Sequence, residues 1–462
     1  MVEVRPLNAI VYNQEKVNMN DVIAPPYDVI LDDYREELYQ RSEYNIVKLI
    51  LAKGSKDLSD ENNRYDEAKK NFHQWLDEKV LVKLEKPCIL YILQRYTTEN
   101  GKKIERKGFI ARNRIEDFST KKILPHEFTM GGPKEDRLNL TKKCEANFSQ
   151  IFMVYSDAEK QIENSIDFAQ KPFIDVTDDN GVQNLVYKIE DAKTIDLIEK
   201  VMQDKTLLIA DGHHRYETAM NYRELRHAEF ISASNPIAQA DTILKQVQDD
   251  VEVGYNYVMS YFTNLDDENL LVFPTHRIIT KWVEPYVLLD KIKKYFDLEE
   301  FQFNGQSKNE VKAKFLQSIE NENEKQISMG LYMKNVNKFY LLTLKSRSGI
   351  PARQQSVEEI LDEFEVPDVL KNLDLTVLHK VLITKELGYT QEEQMAQDGI
   401  KYIKQESEAF DLVDSGKAEA SFIMAYPKIK DIKEISEAGY RMPQKSTYFY
   451  PKLLSGIVIN PL

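Results

Sequence analysis

The sequence predicts an α+β (mixed α/β) fold, and three observations carry that prediction. Runs with strand character alternate with runs of helical spacing along most of the 462 residues. A composition of 42% hydrophobic and 30% charged residues, with only 16 Gly and 16 Pro, supplies a core and leaves little low-complexity sequence. The order of the elements is irregular, which favours a mixed architecture over a regular doubly wound sheet.

The elements can be taken in order. Tyr65, Ala68, Phe72, Trp75 and Leu76 recur at helical spacing, and Pro87 then leads into a strand from Cys88 to Tyr96. Leu185 to Ile189 reads as a strand, followed by a helix bearing Ile195, Ile198 and Met202 and by the apolar run Thr206 to Ala210. Further on come strands at Tyr255 to Phe262 and Leu270 to Phe273, a helix around Leu288, Leu289, Ile292 and Phe296, and a hairpin from Ile327 to Leu344. The last hundred residues read mostly as helices, with a strand from Ala420 to Tyr426. No fixed-period repeat occurs, and the weakest joins are Lys245 to Glu252 and the turn-like Asn304-Gly305. The expected division is a motif-bearing α+β domain over residues 1–243 and a second α+β domain over 244–462, whose C-terminal motif returns to the same site.

Charge and cysteine content narrow the function. The net charge of −14 repels phosphate backbones and disfavours nucleic acid as a partner, leaving room only for a local basic pocket. Two cysteines, Cys88 and Cys144, build neither a disulfide framework nor a four-thiolate zinc site. No signal-like start and no run of about 20 apolar residues is visible, so the expected location is cytoplasmic with no membrane partner.

Chemistry concentrates in a few segments. Asp211-Gly212-His213-His214-Arg215 follows an apolar strand and opens a helix, the setting for an anion site: Gly212 allows close backbone approach, helix-start N–H groups point outward and Arg215 can fork onto phosphate oxygens. His213 and His214 add proton transfer near neutral pH; structural capping of the turn is the plainer alternative. In a second, locally basic segment, His126-Glu127 offers proton transfer, Gly131-Gly132 a turn, and Lys134 with Arg137 charge recognition, against the alternative of an ordinary solvated loop. Lys445, Ser446 and Thr447 stand in the acid-free stretch Arg441 to Lys452 and suit phosphate, or else anchor a surface turn. His276-Arg277 after an apolar run, and Tyr27-Asp28 after Pro25-Pro26, are weaker signals. No HExxH spacing is present; a magnesium ion brought by a nucleotide and held by Asp211 or Glu127 suits these residues better than zinc.

These segments, in this order, resemble the bacterial family catalogued as domain of unknown function 1015. The resemblance rests on Pro25-Pro26-Tyr27-Asp28-Val29-Ile30, Leu124-Pro125-His126-Glu127 with Lys134-Glu135-Asp136-Arg137, Ala210 to Tyr216, Pro274-Thr275-His276-Arg277, and Met442 to Thr447. More loosely, Asp211 to Arg215 is similar to the nucleotide loop of the ParB and sulfiredoxin superfamily, which includes free-serine kinases. That likeness implies a ParB/sulfiredoxin-like nucleotide-loop region beside a second α+β region. Sulfiredoxin's catalytic cysteine has no counterpart here, where His214 precedes Arg215. The combined expectation is an enzyme of phosphoryl transfer or phosphate-ester chemistry on a small phosphorylated metabolite, with serine or O-phosphoserine as the specific candidate. A nucleotide (ATP or ADP) serves as cosubstrate and Mg²⁺ as cofactor. His213, His214, His126 and Glu127 are the catalytic candidates; Asp211, Gly212, Arg215, Lys134, Arg137, His276, Arg277, Lys445, Ser446 and Thr447 the binding candidates. A ParB-like, nucleotide-responsive DNA-binding or regulatory protein is the alternative.

Overall fold

Strand Ile89–Thr97 pairs in register with Lys103–Arg114 on one side and with Gln183–Ile189 on the other, all antiparallel. The computed structural model describes residues 1–98, 101–127, 131–233, 253–305, 307–351, 353–443 and 445–462. The chain divides into two compact units, one of Met1–Leu271 with Pro451–Leu462, the other of Val272–Tyr450.

In the first unit a mixed sheet runs in the order Ile123–Pro125, Leu207–Asp211, Ile151–Tyr155, Tyr257–Asn264, Lys103–Arg114, Ile89–Thr97, Gln183–Ile189, Ile174–Thr177. One face carries an apolar core including Tyr91, Phe109, Met153, Tyr187 and Phe262, against which helix Ala192–Gln203 lays Ile198 and Met202. Asp191 caps that helix by accepting from the Thr194 N–H. Helix Arg64–Asp77 is capped in the same way by Asn63 and buries Tyr65, Ala68, Phe72 and Trp75, the stripe read from the sequence.

The second unit is built on an antiparallel sheet in the order Phe296–Gln302, Lys338–Leu344, Ser328–Met333, Ala420–Met424, His276–Ile279, Ile400–Ile403. Both faces are apolar: Met329, Leu331 and Phe422 lie in one core cluster, Phe315, Phe339 and Ile423 in the other. The expected hairpin is present, whereas Phe296 opens a strand rather than closing the helix Pro285–Lys293.

The expected junction at 243/244, like the polar stretch Lys245 to Glu252, lies outside the described residues. The first unit continues past it because Tyr257–Asn264 is bonded between Lys103–Arg114 and Ile151–Tyr155, inside the sheet. Its last piece comes from the far end of the chain, where Ser455 bridges Ala24, Ile459 bridges Ile10 and Asn460 pairs with Asn147. No described helix is long and apolar enough to cross a membrane. Cys88 and Cys144 are buried free thiols.

Candidate functional site

Leu207–Asp211 is a buried apolar strand, and its parallel register with Ile123–Pro125 sets Ile209 opposite Pro125. Both chains therefore leave the sheet at one edge, with His126-Glu127 beside Asp211-Gly212. An irregularity between Ile209 and Asp211 turns the strand end, and Gly212, at φ +92°, makes the reversal into helix His213–Ala233. A side chain there would be strained by that φ and would meet the Arg215 guanidinium at 2.9 Å.

Arg215 folds back over this glycine. Its Nη2 donates to Asp211 Oδ2 at 2.8 Å and its Nη1 to the Gln150 carbonyl. Lys452 Nζ donates to the other oxygen, Asp211 Oδ1. Burial pushes the Asp211 carboxyl upward, but Lys452 and Arg215 outweigh it and hold the group well below the usual carboxylate range. With both oxygens engaged by cations, Asp211 does not fit the expected magnesium. Among the described residues no three His, Cys, Asp or Glu side chains gather as a metal site.

Two of the expected catalytic histidines tie the site together from inside. His126 is wholly buried, and its Nδ1–H donates to the Ile209 carbonyl at 2.6 Å, which assigns the proton to that nitrogen. Its backbone N–H donates to His213 Nε2 at 3.2 Å, and the two rings meet edge-on at 4.7 Å. Burial lowers the His126 imidazole to about 4, so it is neutral at physiological pH. His213 is also buried. The pair locks the 123–127 segment to the helix start. Glu127 is half-buried, its carboxylate 3.8 Å from His126 Nε2.

His214, half-buried, faces the charged groups. Its imidazole is lowered by burial, raised by Glu217 and Asp28, and lowered again by Lys134 and Arg215. Lys134 Nζ donates to Glu217 Oε2 at 2.8 Å, and Thr218 Oγ1 donates to the His214 carbonyl at 2.7 Å. The expected Gly131-Gly132 turn is instead the start of helix Gly131–Cys144; Phe128 to Met130 before it lie outside the described residues. Arg137, on that helix, lines a recess with Tyr27, Arg215 and Thr218. Its charge is already met: Nε donates to Asp136 Oδ2 at 2.8 Å, Nη1 to the Ile50 carbonyl at 2.8 Å, and its face lies 4.2 Å from the Tyr27 ring centre. Asp136 also takes Arg64 and the Tyr65 hydroxyl. Arg137 is thus an anchor for Tyr27 and the helix.

The remaining candidates form a different cluster in the second unit. His276 is buried, its Nδ1 accepts from the Met424 N–H at 3.1 Å, and burial with neighbouring Arg277 lowers it to about 3. Arg277 has no exposure; Nε donates to His379 Nε2 at 3.0 Å, Nη1 to the Thr275 carbonyl and Nη2 to the Lys445 carbonyl at 3.3 Å. Ser446 is buried and donates to the Pro443 carbonyl, Lys445 lies 5.4 Å from the Tyr402 ring centre, and Thr447 is half-buried. Gln444 lies outside the described residues. His276, Arg277 and Ser446 therefore knit the second unit's interior.

Sequence reasoning missed Lys452 as a site residue, although it ends the acid-free stretch already noted, and Glu217, one helical turn after His214. Tyr27 and Asp28, read as a weak signal, are brought to Arg137 and His214.

An α+β unit that ends a buried strand in a glycine turn and opens a helix with two histidines and an arginine defines the class of fold and site. Residues 4–376 match the family described as "Protein of unknown function (DUF1015)", and the chain belongs to that family. Similar solved structures include a free serine kinase in complex with AMP, at 11% identity and TM-score 0.32, covering 75% of this chain and 89% of that one. Others are a conserved hypothetical protein from Pyrococcus furiosus (13%, TM-score 0.32, 75% and 93%) and SbnI with C-terminal truncation from Staphylococcus aureus (9%, TM-score 0.31, 75% and 85%). No curated protein matches the chain at a significant level.

Proposed function

We propose that the first unit binds a phosphate-bearing small molecule at the 212–215 turn and catalyses phosphoryl transfer or phosphate-ester chemistry, with a nucleotide and serine or O-phosphoserine as the candidate pair. The observation that carries this reading is the setting of His214, half-buried in the first turn of a long helix among Lys134, Glu217, Asp28 and Arg215. N–H groups of the helix start and the Lys134 ammonium attract phosphoryl oxygens, while Arg215 keeps the turn closed on Asp211. A lowered His214 is neutral near pH 7 and competent to take the proton of an attacking hydroxyl as the phosphoryl group moves to it. Magnesium enters no step, because Asp211 is engaged by Lys452 and Arg215.

The test is a thermal-shift panel of ATP, ADP, AMP, CTP, serine and O-phosphoserine, with and without Mg²⁺, followed by assay of transfer. Stabilisation by a nucleotide or phosphoserine is expected, with His214→Gln retaining it while turnover falls by about 10²-fold or more. No shift with any of the six overturns the reading. Nucleotide binding without turnover, together with salt-sensitive DNA affinity, replaces it with the regulatory alternative.

A further inference from the structure

Arg106 lies in strand Lys103–Arg114 with no exposure at all, and its hydrogen bonds go to neutral acceptors. Nε donates to Gln94 Oε1 at 2.9 Å; Nη2 donates to the same oxygen and to the Pro451 carbonyl, the latter at 2.8 Å. Nη1 has no hydrogen-bond partner. The guanidinium is enclosed by the faces of Phe152, 4.8 Å away, and Tyr261, 5.4 Å away. Among the described residues no carboxylate lies within ion-pair distance of it.

This charge is connected to the turn by the last segment of the chain. Pro451 accepts from Arg106, and the next residue, Lys452, donates to Asp211. Phe152, beneath the guanidinium, is the strand partner of Asp211. Gln150, whose carbonyl receives Arg215, sends its side-chain N–H to the Leu454 carbonyl at 3.0 Å, so the network closes back on the segment. Two cations, Lys452 and Arg215, thus share one carboxylate, and Arg106 is tied to Lys452 through the Pro451 backbone. Two cations on one carboxylate leave positive charge in excess beside the turn, which a dianionic group balances.

We infer that Pro451–Leu462 is part of the ligand site, and that Lys452 supplies its ammonium to the phosphoryl oxygens of a dianionic ligand seated on the 212–215 turn. In the unliganded chain Asp211 holds Lys452 in place, Pro451 fastens the segment to Arg106, and the ligand competes with Asp211 for Lys452. The inference rests on the phosphate reading above and adds to it a binding residue from outside the 4–376 match.

The test uses the full chain with inorganic phosphate, ADP and O-phosphoserine as probes, measured by titration calorimetry, with the unliganded melting curve of each variant recorded separately. Lys452→Met is expected to weaken binding by about 10-fold or more, the loss of a charge-assisted hydrogen bond, and Lys452→Arg to restore most of it. Asp211→Asn releases Lys452 from its competitor and is expected to tighten inorganic phosphate several-fold; this arm stands even if Lys452→Met fails to fold. A purely structural ion pair predicts instead that Asp211→Asn lowers the melting temperature and leaves phosphate affinity unchanged, which overturns the inference. Equal affinity of Lys452→Met and the unsubstituted chain overturns it too, with the phosphate reading intact. If the unsubstituted chain binds none of the probes, both fall together.

Discussion

Each unit carries a histidine-arginine pair near a strand of its central sheet, and the two pairs have opposite fates. His214-Arg215 begins a helix after a glycine turn, so Arg215 covers backbone at the sheet edge and shares a carboxylate with Lys452. His276-Arg277 lies within a strand bonded on both sides, so the same residue types point into the unit and are consumed by His379, Thr275, Lys445 and Met424. The difference shows that residue type nominates a site, while the backbone under it decides whether the charge is available.

The contrast can be broken most sharply at the arginines. Arg277→Ala removes a wholly buried guanidinium and leaves the His379 imidazole and the Thr275 and Lys445 carbonyls without this donor, and is expected to cost about 3 kcal/mol or more in denaturant unfolding. Arg215→Ala leaves Asp211 paired with Lys452 and is expected to cost roughly 1–2 kcal/mol. Equal losses would erase the distinction between the clusters.

Acid provides the next comparison. His126 and His276 titrate near 6.5 when unfolded but at about 4 and about 3 when folded. Between those limits the unfolded chain holds more protons, so their stabilisation is complete above about pH 6.5 and declines as pH falls, by on the order of 2 kcal/mol per histidine at pH 5. Unfolding free energies measured from pH 8 to 5 check this, and a flat profile contradicts the neutral buried imidazoles. Smaller still is Gly212→Ala, expected to cost about 1–2 kcal/mol for its positive φ, with the flexible guanidinium moving aside. Least of all, Lys134→Gln removes a part-exposed ion pair and is expected to change stability by no more than about 1 kcal/mol while weakening phosphate binding.

The fold was legible where burial and periodicity coincide. Tyr65, Ala68, Phe72 and Trp75 are buried as their spacing indicates, as are Ile198 and Met202, with Ile195 partly buried against the same core. Lys103–Arg114 escaped because Arg106 occupies an inward position where an apolar residue would complete the alternation. The glycine turn at Asp211 to Arg215 was equally readable, since strand, glycine and helix start are local features. What no local pattern carries is the sharing of Asp136 with Arg64 and Tyr65, or the pairing of His126 with His213 across a parallel register. Those depend on segments far apart in sequence.

The return of Pro451–Leu462 to the first unit sets an order of assembly. These residues are synthesised only after the whole of Val272–Tyr450, a contiguous unit that can complete itself as it emerges. At translation rates of ~5–20 residues per second, the first unit waits roughly ten to forty seconds for its closing segment. During that interval Ala24, Ile10 and Asn147 lack the backbone partners that this segment brings, and Arg106 and Asp211 lack the segment that links them. The first unit, begun before the second, is therefore completed by residues made after it.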